Sequence, residues 1–332
     1  MGLRKILRYS FTLAVMIAAV YFFYLQFEKN ADLISAYDFN INPYYIFVSI
    51  VLGSIALLSG PLVWRIYVNN YIHEKLNYSE SYSLYCTSAM FKYIPGKIWT
   101  YAAQITLMSS KRISKLVLIY INMVSFLCLA FVSAMFAFYY YLFCVRITTW
   151  EISVVTFTLL IVLDFIFIIW NESIINFLIV PVNRLFKVGI KPLKTKKIVF
   201  VYTQIFYFIS YILLGVAMYF LASGLNMKMP LTSITAIMAT ISVSAITGYV
   251  AFFSMGGLGV REGTMFFMLR QFSGIEAALL LPIATRILLT AVELFMGIIA
   301  LLIGLRYGYF TGRVNDWPEG SMLEKSKADA DL

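Results

Sequence analysis

Uncharged apolar stretches longer than about 18 residues recur along this chain, and they constrain its fold more than any other feature. A helix needs about 20 such residues to cross the hydrocarbon core of a bilayer, which is about 30 Å thick. Only 13% of the 332 residues are charged, against about a quarter in soluble domains, and 61% are hydrophobic. The sequence therefore predicts an all-α polytopic membrane helix bundle, a single membrane domain over residues 1–332.

Six segments are predicted to cross the membrane as full helical spans. They lie approximately at residues 7–27, 43–64, 116–144, 152–171, 198–223 and 276–305. Two other apolar stretches, residues 79–110 and 230–272, are interrupted by glycine, proline or charged residues. Backbone groups freed by such breaks cannot stay unpaired in lipid, so both stretches are predicted to form broken or re-entrant hairpins buried in protein.

The positions of lysine and arginine predict the orientation. With the N-terminus inside, eighteen of the 26 basic residues fall in cytoplasmic segments, three fall outside, and five lie in membrane-embedded stretches. This imbalance follows the positive-inside rule and predicts cytoplasmic N- and C-termini, with residues 311–332 as a short cytoplasmic tail. We expect a bacterial plasma (inner) membrane. The count leaves open whether both hairpins re-enter or both cross fully.

The order of the segments predicts an inverted-topology repeat. Helix, helix, broken hairpin and helix describe residues 7–144, and the same order describes residues 152–305 from the opposite side of the membrane. Transporters built in this way bind substrate near the bilayer midplane, where broken helices of the two halves meet. A binding site is therefore expected where the two hairpins approach each other.

The first hairpin contains the segment KYIPGKIW at residues 92–99. Pro95 removes a backbone donor and Gly96 permits a sharp bend, which predicts a hinge followed by a half-helix with Lys97 near its amino end. Lysines such as Lys92 and Lys97 beside freed amide groups favour an anion. The alternative is an interfacial turn whose lysines reach lipid phosphates.

The second hairpin contains the segment GGLGVREG at residues 256–263. A hinge with close backbone approach is predicted at three glycines, Gly256, Gly257 and Gly259. No strand precedes them, so a dinucleotide-binding loop is excluded. Arg261 inside a membrane costs about 2.5–3.5 kcal/mol on insertion scales, and such residues are usually partnered or functional. Arg261 is predicted either to bind an anion or to form an internal clamp with an acidic residue.

Three further charges lie inside predicted helices. Arg286 and Glu293 are seven residues apart, about 10.5 Å along a helix, so each is predicted to meet a group from another element. Asp164 is the only charged residue within its predicted helix. Its carboxylate is expected either to take part in proton coupling or simply to reach water. The cysteine and histidine positions fit neither a metal site nor a catalytic triad, so no metal or cofactor is expected.

Together, these motifs resemble the flippase-like membrane region of lysylphosphatidylglycerol synthases. The KYIPGKIW segment is followed about 160 residues later by GGLGVRE and then by Arg286, and the resemblance covers nearly the whole chain. One departure is Met255, where the family commonly has proline. The resemblance implies a membrane domain related to lipid translocases and no particular lipid. The aminoacyl-transferring domain of the synthases is a separate soluble module, and we do not expect residues 1–332 to form it.

These features predict a lipid flippase-like transporter rather than an enzyme. The anionic headgroup of a phospholipid or polyprenyl-phosphate-linked lipid is expected to be bound by four cations: Lys92, Lys97, Arg261 and Arg286. Charge-partner or coupling roles fall to three carboxylates: Glu262, Glu293 and Asp164. Two alternatives stay open, a membrane-embedded headgroup transferase or phosphatase and a non-catalytic subunit of a cell-envelope enzyme. The expected partner is an anionic membrane lipid, not nucleic acid, and a homodimer or an envelope-biosynthesis partner stays open.

Overall fold

A computed structural model describes most of the predicted membrane region and leaves out both ends. The described parts are residues 40–72, 75–93, 98–108, 113–144, 195–251 and 254–310, with scattered positions and short runs between 21 and 37 and between 155 and 184. Every regular element in these parts is helical and no strand occurs among them, which confirms the all-α prediction. The predicted span at 7–27 lies mostly outside the described residues, that at 152–171 is described for about half of its residues, and the tail at 311–332 lies wholly outside them.

Nine α-helices have both ends within the described residues. In chain order they are α1 (Pro43–Leu57), α2 (Ser59–Tyr71), α3 (Tyr78–Ala89), α4 (Ile98–Leu107), α5 (Lys115–Cys144), α6 (Lys197–Gly224), α7 (Ile234–Val250), α8 (Val260–Leu269) and α9 (Ile275–Arg306). Three short 3-10 turns accompany them, at Met90–Tyr93, Leu231–Ser233 and Met255–Gly257. Both hairpins are therefore interrupted: α3 gives way to a 3-10 turn before α4 begins, and α7 and α8 are separated by another.

Five helical stretches of the described chain are long and apolar enough to cross a membrane, which is compatible with an integral membrane protein. They are Pro43–Tyr71, Lys115–Tyr140, Lys197–Gly224, Leu231–Val250 and Ile275–Arg306. Four of them coincide with spans predicted from the sequence. The other, Leu231–Val250, is the first arm of the second hairpin, so that arm alone has the length of a crossing helix.

Local signals explain where the first of these stretches begins and why it runs through two helices. The Tyr44 amide donates to the Asn42 side chain at 3.0 Å, and Pro43 occupies the first helical position, where no amide hydrogen is needed. At the junction of α1 and α2, the Leu58 amide still donates to the Ser54 carbonyl at 3.2 Å. On the outer face, Phe47 is 63% exposed, as expected of a side chain in contact with lipid tails.

The most extensive helix contacts join parts of the chain that are distant in sequence. Helix α1 packs along α6, α3 packs along α9, and α5 packs along α7. Helix α7 also packs against α6 and α8, and α8 packs against α9. The first arm of each hairpin thus lies against the long helix that follows the other hairpin.

Polar and small residues allow these helices to approach closely. The Ser83 hydroxyl of α3 donates to the Ala300 carbonyl of α9 at 2.7 Å, and the Tyr82 hydroxyl donates to the Met296 carbonyl at 3.1 Å. Between α6 and α7, Gly215 faces Met238 so closely that a Cβ atom would lie 2.2 Å from the Met238 Cγ and 2.9 Å from its Cα. In a membrane, such small-residue contacts and interhelical hydrogen bonds drive helix association.

Gly215→Ala is therefore expected to destabilise the protein by about 1–3 kcal/mol, because the backbone of α7 must move to admit one methyl group. Gly263→Ala in α8 is the matched control, since nothing lies within 4 Å of the added Cβ. This control should be neutral or stabilising by up to about 1 kcal/mol. Unfolding of both variants in the same detergent checks the prediction, and equal stabilities would contradict the α6–α7 packing.

Candidate functional site

A cavity of about 200 Å³ lies inside the helix bundle, between the two hairpins and the long helices. Its wall includes residues of α1, α2, α3, α5, α6, α7, α8 and α9 together with the 3-10 turn at Met90–Tyr93. Among the described residues, five charged side chains line it: Lys92, Arg261, Glu262, Arg286 and Glu293. Five tyrosines also line it: Tyr85, Tyr93, Tyr207, Tyr211 and Tyr249. The cavity is therefore a largely apolar chamber that also contains five described charged side chains and several tyrosines.

Lys92 and Glu293 form an ion pair between the first hairpin and α9. The Lys92 Nζ atom lies 2.6 Å from Glu293 Oε2, and the Tyr93 hydroxyl donates to that same oxygen. The Lys92 ammonium also lies 5.3 Å from the centre of the Tyr93 ring, within the range of a cation–π contact. Two neighbouring side chains of one turn thus hold the Glu293 carboxylate.

Arg286 joins α9 to the second hairpin. Its Nη2 atom donates to the Gly256 carbonyl at 2.9 Å, and its Nε atom lies 3.4 Å from Glu262 Oε1. The Glu262 Oε1 atom receives no hydrogen bond, so this contact is an ion pair without one. The other Glu262 oxygen accepts the Gly259 amide at 2.7 Å and caps the start of α8. These positions of Arg286 and Glu293 agree with the prediction that each meets another element.

The glycine-rich turn brings the two hairpins into contact. Gly256 has φ +55° and Gly257 has φ +82°, values in the left-handed region that favours glycine. A Cβ atom at Gly256 would lie 2.9 Å from Arg286 Nη2 and 3.5 Å from the Tyr93 ring. The Arg286 guanidinium lies 6.0 Å from the centre of that ring. The two hairpin turns therefore come together beside the Arg286 side chain, which contacts both of them.

Arg261 lies in a channel that glycines leave open. A Cβ atom at Gly248 would be 2.3 Å from the Arg261 Nε atom, and one at Gly257 would be 3.0 Å from it. The guanidinium carbon lies 5.5 Å from the centre of the Tyr249 ring. Within the described chain, no carboxylate lies within 4 Å of Arg261, and its buried Nε atom has no hydrogen-bond partner. The predicted acidic clamp for Arg261 is thus not formed by any described residue.

The structure brings five of the twelve predicted site residues to the wall of this cavity: Lys92, Arg261, Glu262, Arg286 and Glu293. Gly256 and Gly257 lie in the neighbouring 3-10 turn, whose Gly256 carbonyl accepts from Arg286, and Gly259 precedes α8. Four other predicted residues lie outside the described chain: Lys97, Pro95, Gly96 and Asp164. In the described residues, no group of three histidine, cysteine or acidic side chains is placed to hold a metal ion.

Three contributors were missed by the sequence prediction. Tyr93 donates to Glu293, Tyr249 stacks near Arg261, and Gly248 provides half of the Arg261 channel. The sequence offered no signal for Gly248, because it lies within a helix and its role depends on the Arg261 side chain that crosses it. Aromatic residues are so frequent in this chain that Tyr93 and Tyr249 did not stand out from the tyrosines expected at membrane interfaces.

No protein-family model matches the chain, and no curated protein matches it. The resemblance of the two motifs to the membrane region of lysylphosphatidylglycerol synthases therefore stays a prediction from the sequence. The cavity, the ion pairs and the contact between the two turns are features of this chain itself.

If the Lys92–Glu293 pair joins the first hairpin to α9, the two residues should be energetically coupled. Lys92→Met and Glu293→Gln are each expected to destabilise the protein, and the double variant should be more stable than the sum of the two effects by about 1 kcal/mol. Thermal unfolding of the four proteins in detergent measures this coupling. A parallel cycle with Glu276→Gln, about 25 Å away along α9, should be additive. If the effects of Lys92→Met and Glu293→Gln on stability were additive, the proposed coupling between the two residues would be contradicted.

Proposed function

We propose that the protein is a lipid flippase-like membrane transporter whose central cavity binds the anionic headgroup of a phospholipid or a polyprenyl-phosphate-linked lipid. One observation carries the proposal: three cations and two carboxylates line a single cavity between the two hairpins. Charges at membrane depth are costly and usually mark the path of a substrate or an ion. Because the described cations outnumber the described carboxylates and border an open cavity, the cavity favours binding of an anion.

The size of the cavity supports transport of a headgroup rather than of a whole lipid. Sites for drug-sized ligands usually measure about 300–1,000 Å³, and this cavity is smaller, at about 200 Å³. It has room for a phosphate and a short substituent, while acyl or prenyl tails would stay in the surrounding hydrocarbon. Only the polar part of the lipid then needs a protein-lined path.

The helix contacts support the proposed inverted repeat. In the proposed repeat, α3 of the first half corresponds to α7 of the second, and α5 corresponds to α9. The α3–α9 contact therefore has its counterpart in the α7–α5 contact. Both contacts are among the most extensive in the described chain, and the contact of α1 with α6 maps onto itself. In transporters with such repeats, one half rocks against the other around the site, which opens it to each side in turn.

The ion pairs suggest how headgroup binding and this movement are linked. Lys92 belongs to the first proposed repeat and Glu293 to the second, so their pair joins the halves across the cavity. Arg286 holds the glycine turn through Gly256. A phosphate entering the cavity competes with the carboxylates for these cations, and loss of the cross-link would free the halves to rock. The orientation proposed from the charges places both termini on the cytoplasmic side of a bacterial inner membrane.

Arg261→Gln is expected to lower lipid movement at least about 10-fold, because the side chain retains its polarity but loses its charge. The assay reconstitutes the full-length protein in liposomes with a fluorescent anionic phospholipid and follows the fraction of lipid reached by an external quencher. Arg270→Gln is the matched control, since it removes the same charge from the end of the same hairpin at an exposed position. That control should move lipid at the wild-type rate.

Three results would argue against the proposal. Equal rates for wild type, Arg261→Gln and protein-free liposomes would show that the cavity does not move lipid. Release of a cleaved or transferred headgroup from a lipid substrate by the purified protein would favour the membrane-embedded enzyme. Stable co-purification with an envelope enzyme whose activity is unaffected by Arg261→Gln would favour a non-catalytic subunit.

A further inference from the structure

The charges of the cavity wall identify the class of headgroup more closely than the proposed function does. We infer that the ligand is a lipid with a monoanionic phosphodiester headgroup, and that Arg261 is the residue that selects it. The inference rests on the proposed function, since it assumes that the cavity binds a lipid headgroup.

Two of the three described cations in the wall are already compensated. Lys92 lies 2.6 Å from the Glu293 carboxylate, and Arg286 lies 3.4 Å from the Glu262 carboxylate. Arg286 and Glu262 are only 14% and 8% exposed at their side chains, so water screens that pair weakly. Arg261 is the remaining cation, and none of the described carboxylates pairs with it. The described wall therefore carries one net positive charge.

The surroundings of Arg261 keep its charge directed at the cavity. Gly248 and Gly257 flank its side chain so closely that any larger residue would displace it, and Tyr249 lies beside the guanidinium. The stem is thus fixed by backbone on both sides. An arginine held in this way loses little freedom when it binds, and its planar fork suits two oxygens of one phosphate.

A net charge inside a low-dielectric space is costly, so the most stable complex is the one whose total charge is zero. A phosphodiester with a single negative charge meets that condition. A phosphomonoester, which is doubly charged above a pKa of about 6, leaves one surplus negative charge. A zwitterionic headgroup has no net charge and leaves the charge of Arg261 uncompensated. A headgroup with one more ammonium group than this would raise the net positive charge of the complex.

The test measures binding to detergent-purified, full-length protein at pH about 8, where a phosphomonoester is doubly charged. Melting-temperature titrations use three lipids with identical dioctanoyl chains: phosphatidylglycerol, phosphatidate and phosphatidylcholine. Phosphatidylglycerol should bind at least about 10-fold more tightly than either of the other two, the factor expected for one charge-assisted contact. Tail-less glycerophosphoglycerol should bind much more weakly than the lipid.

Changing the charge of the wall should change the preferred ligand. Arg261→Gln makes the described wall neutral and should remove the preference for phosphatidylglycerol. Glu293→Gln raises the wall charge by one while keeping the side-chain shape and should shift the preference toward phosphatidate. Arg261→Lys keeps the charge and should keep the preference at lower affinity, which makes the test independent of whether Arg261→Gln folds. Arg270→Gln is the control and should bind as the wild type does.

The outcomes separate this inference from the proposed function. Tighter binding of phosphatidate than of phosphatidylglycerol by the wild type, or loss of the preference in Arg261→Lys, would overturn the inference while leaving an anionic-lipid transporter intact. Failure of all three lipids to bind would overturn both. Equal binding of glycerophosphoglycerol and phosphatidylglycerol would also overturn both, because the site would then take a soluble phosphodiester.

Discussion

Ionised side chains are costly in hydrocarbon, and the arrangement of this protein is built around keeping five of them inside a protein-lined chamber. Each carboxylate of the chamber also binds hydrogen-bond donors from the turn that it stabilises. Glu293 accepts from Tyr93, and Glu262 accepts from the Gly259 amide. The carboxylates and the helix breaks therefore stabilise each other. Each break provides hydrogen-bond donors, and the carboxylate beside it accepts hydrogen bonds from them.

Helix α9 is the element through which these contacts act together. Arg286 and Glu293 stand about two turns apart on it, and they reach the second and the first hairpin respectively. Because both residues lie on one continuous helix, α9 fixes the separation of their contacts with the two turns. Under the proposed rocking motion, both ion pairs move with α9. Substrate binding that displaces α9 at one turn would therefore also change the contacts of α9 with the other turn.

Sequence patterns predicted the helical class and four of the long apolar stretches, because length and hydropathy alone determine whether a helix can span a bilayer. They also singled out Arg261, Arg286 and Glu293, since charges are conspicuous in an apolar chain. Pairings could not be predicted, because Lys92 and Glu293 are 201 residues apart and nothing local joins them. The Gly248 contribution was equally hidden, since a glycine in a helix becomes meaningful only when the side chain crossing it is known.

The most direct test is an experimental structure of the protein in lipid nanodiscs that contain phosphatidylglycerol, determined by electron cryo-microscopy. We expect the turns at Met90–Tyr93 and Met255–Gly257 to touch beside Arg286, and phosphate density to lie next to the Arg261 guanidinium. A map in which the two turns point away from each other into separate aqueous faces, with no shared cavity, would contradict the proposed binding site.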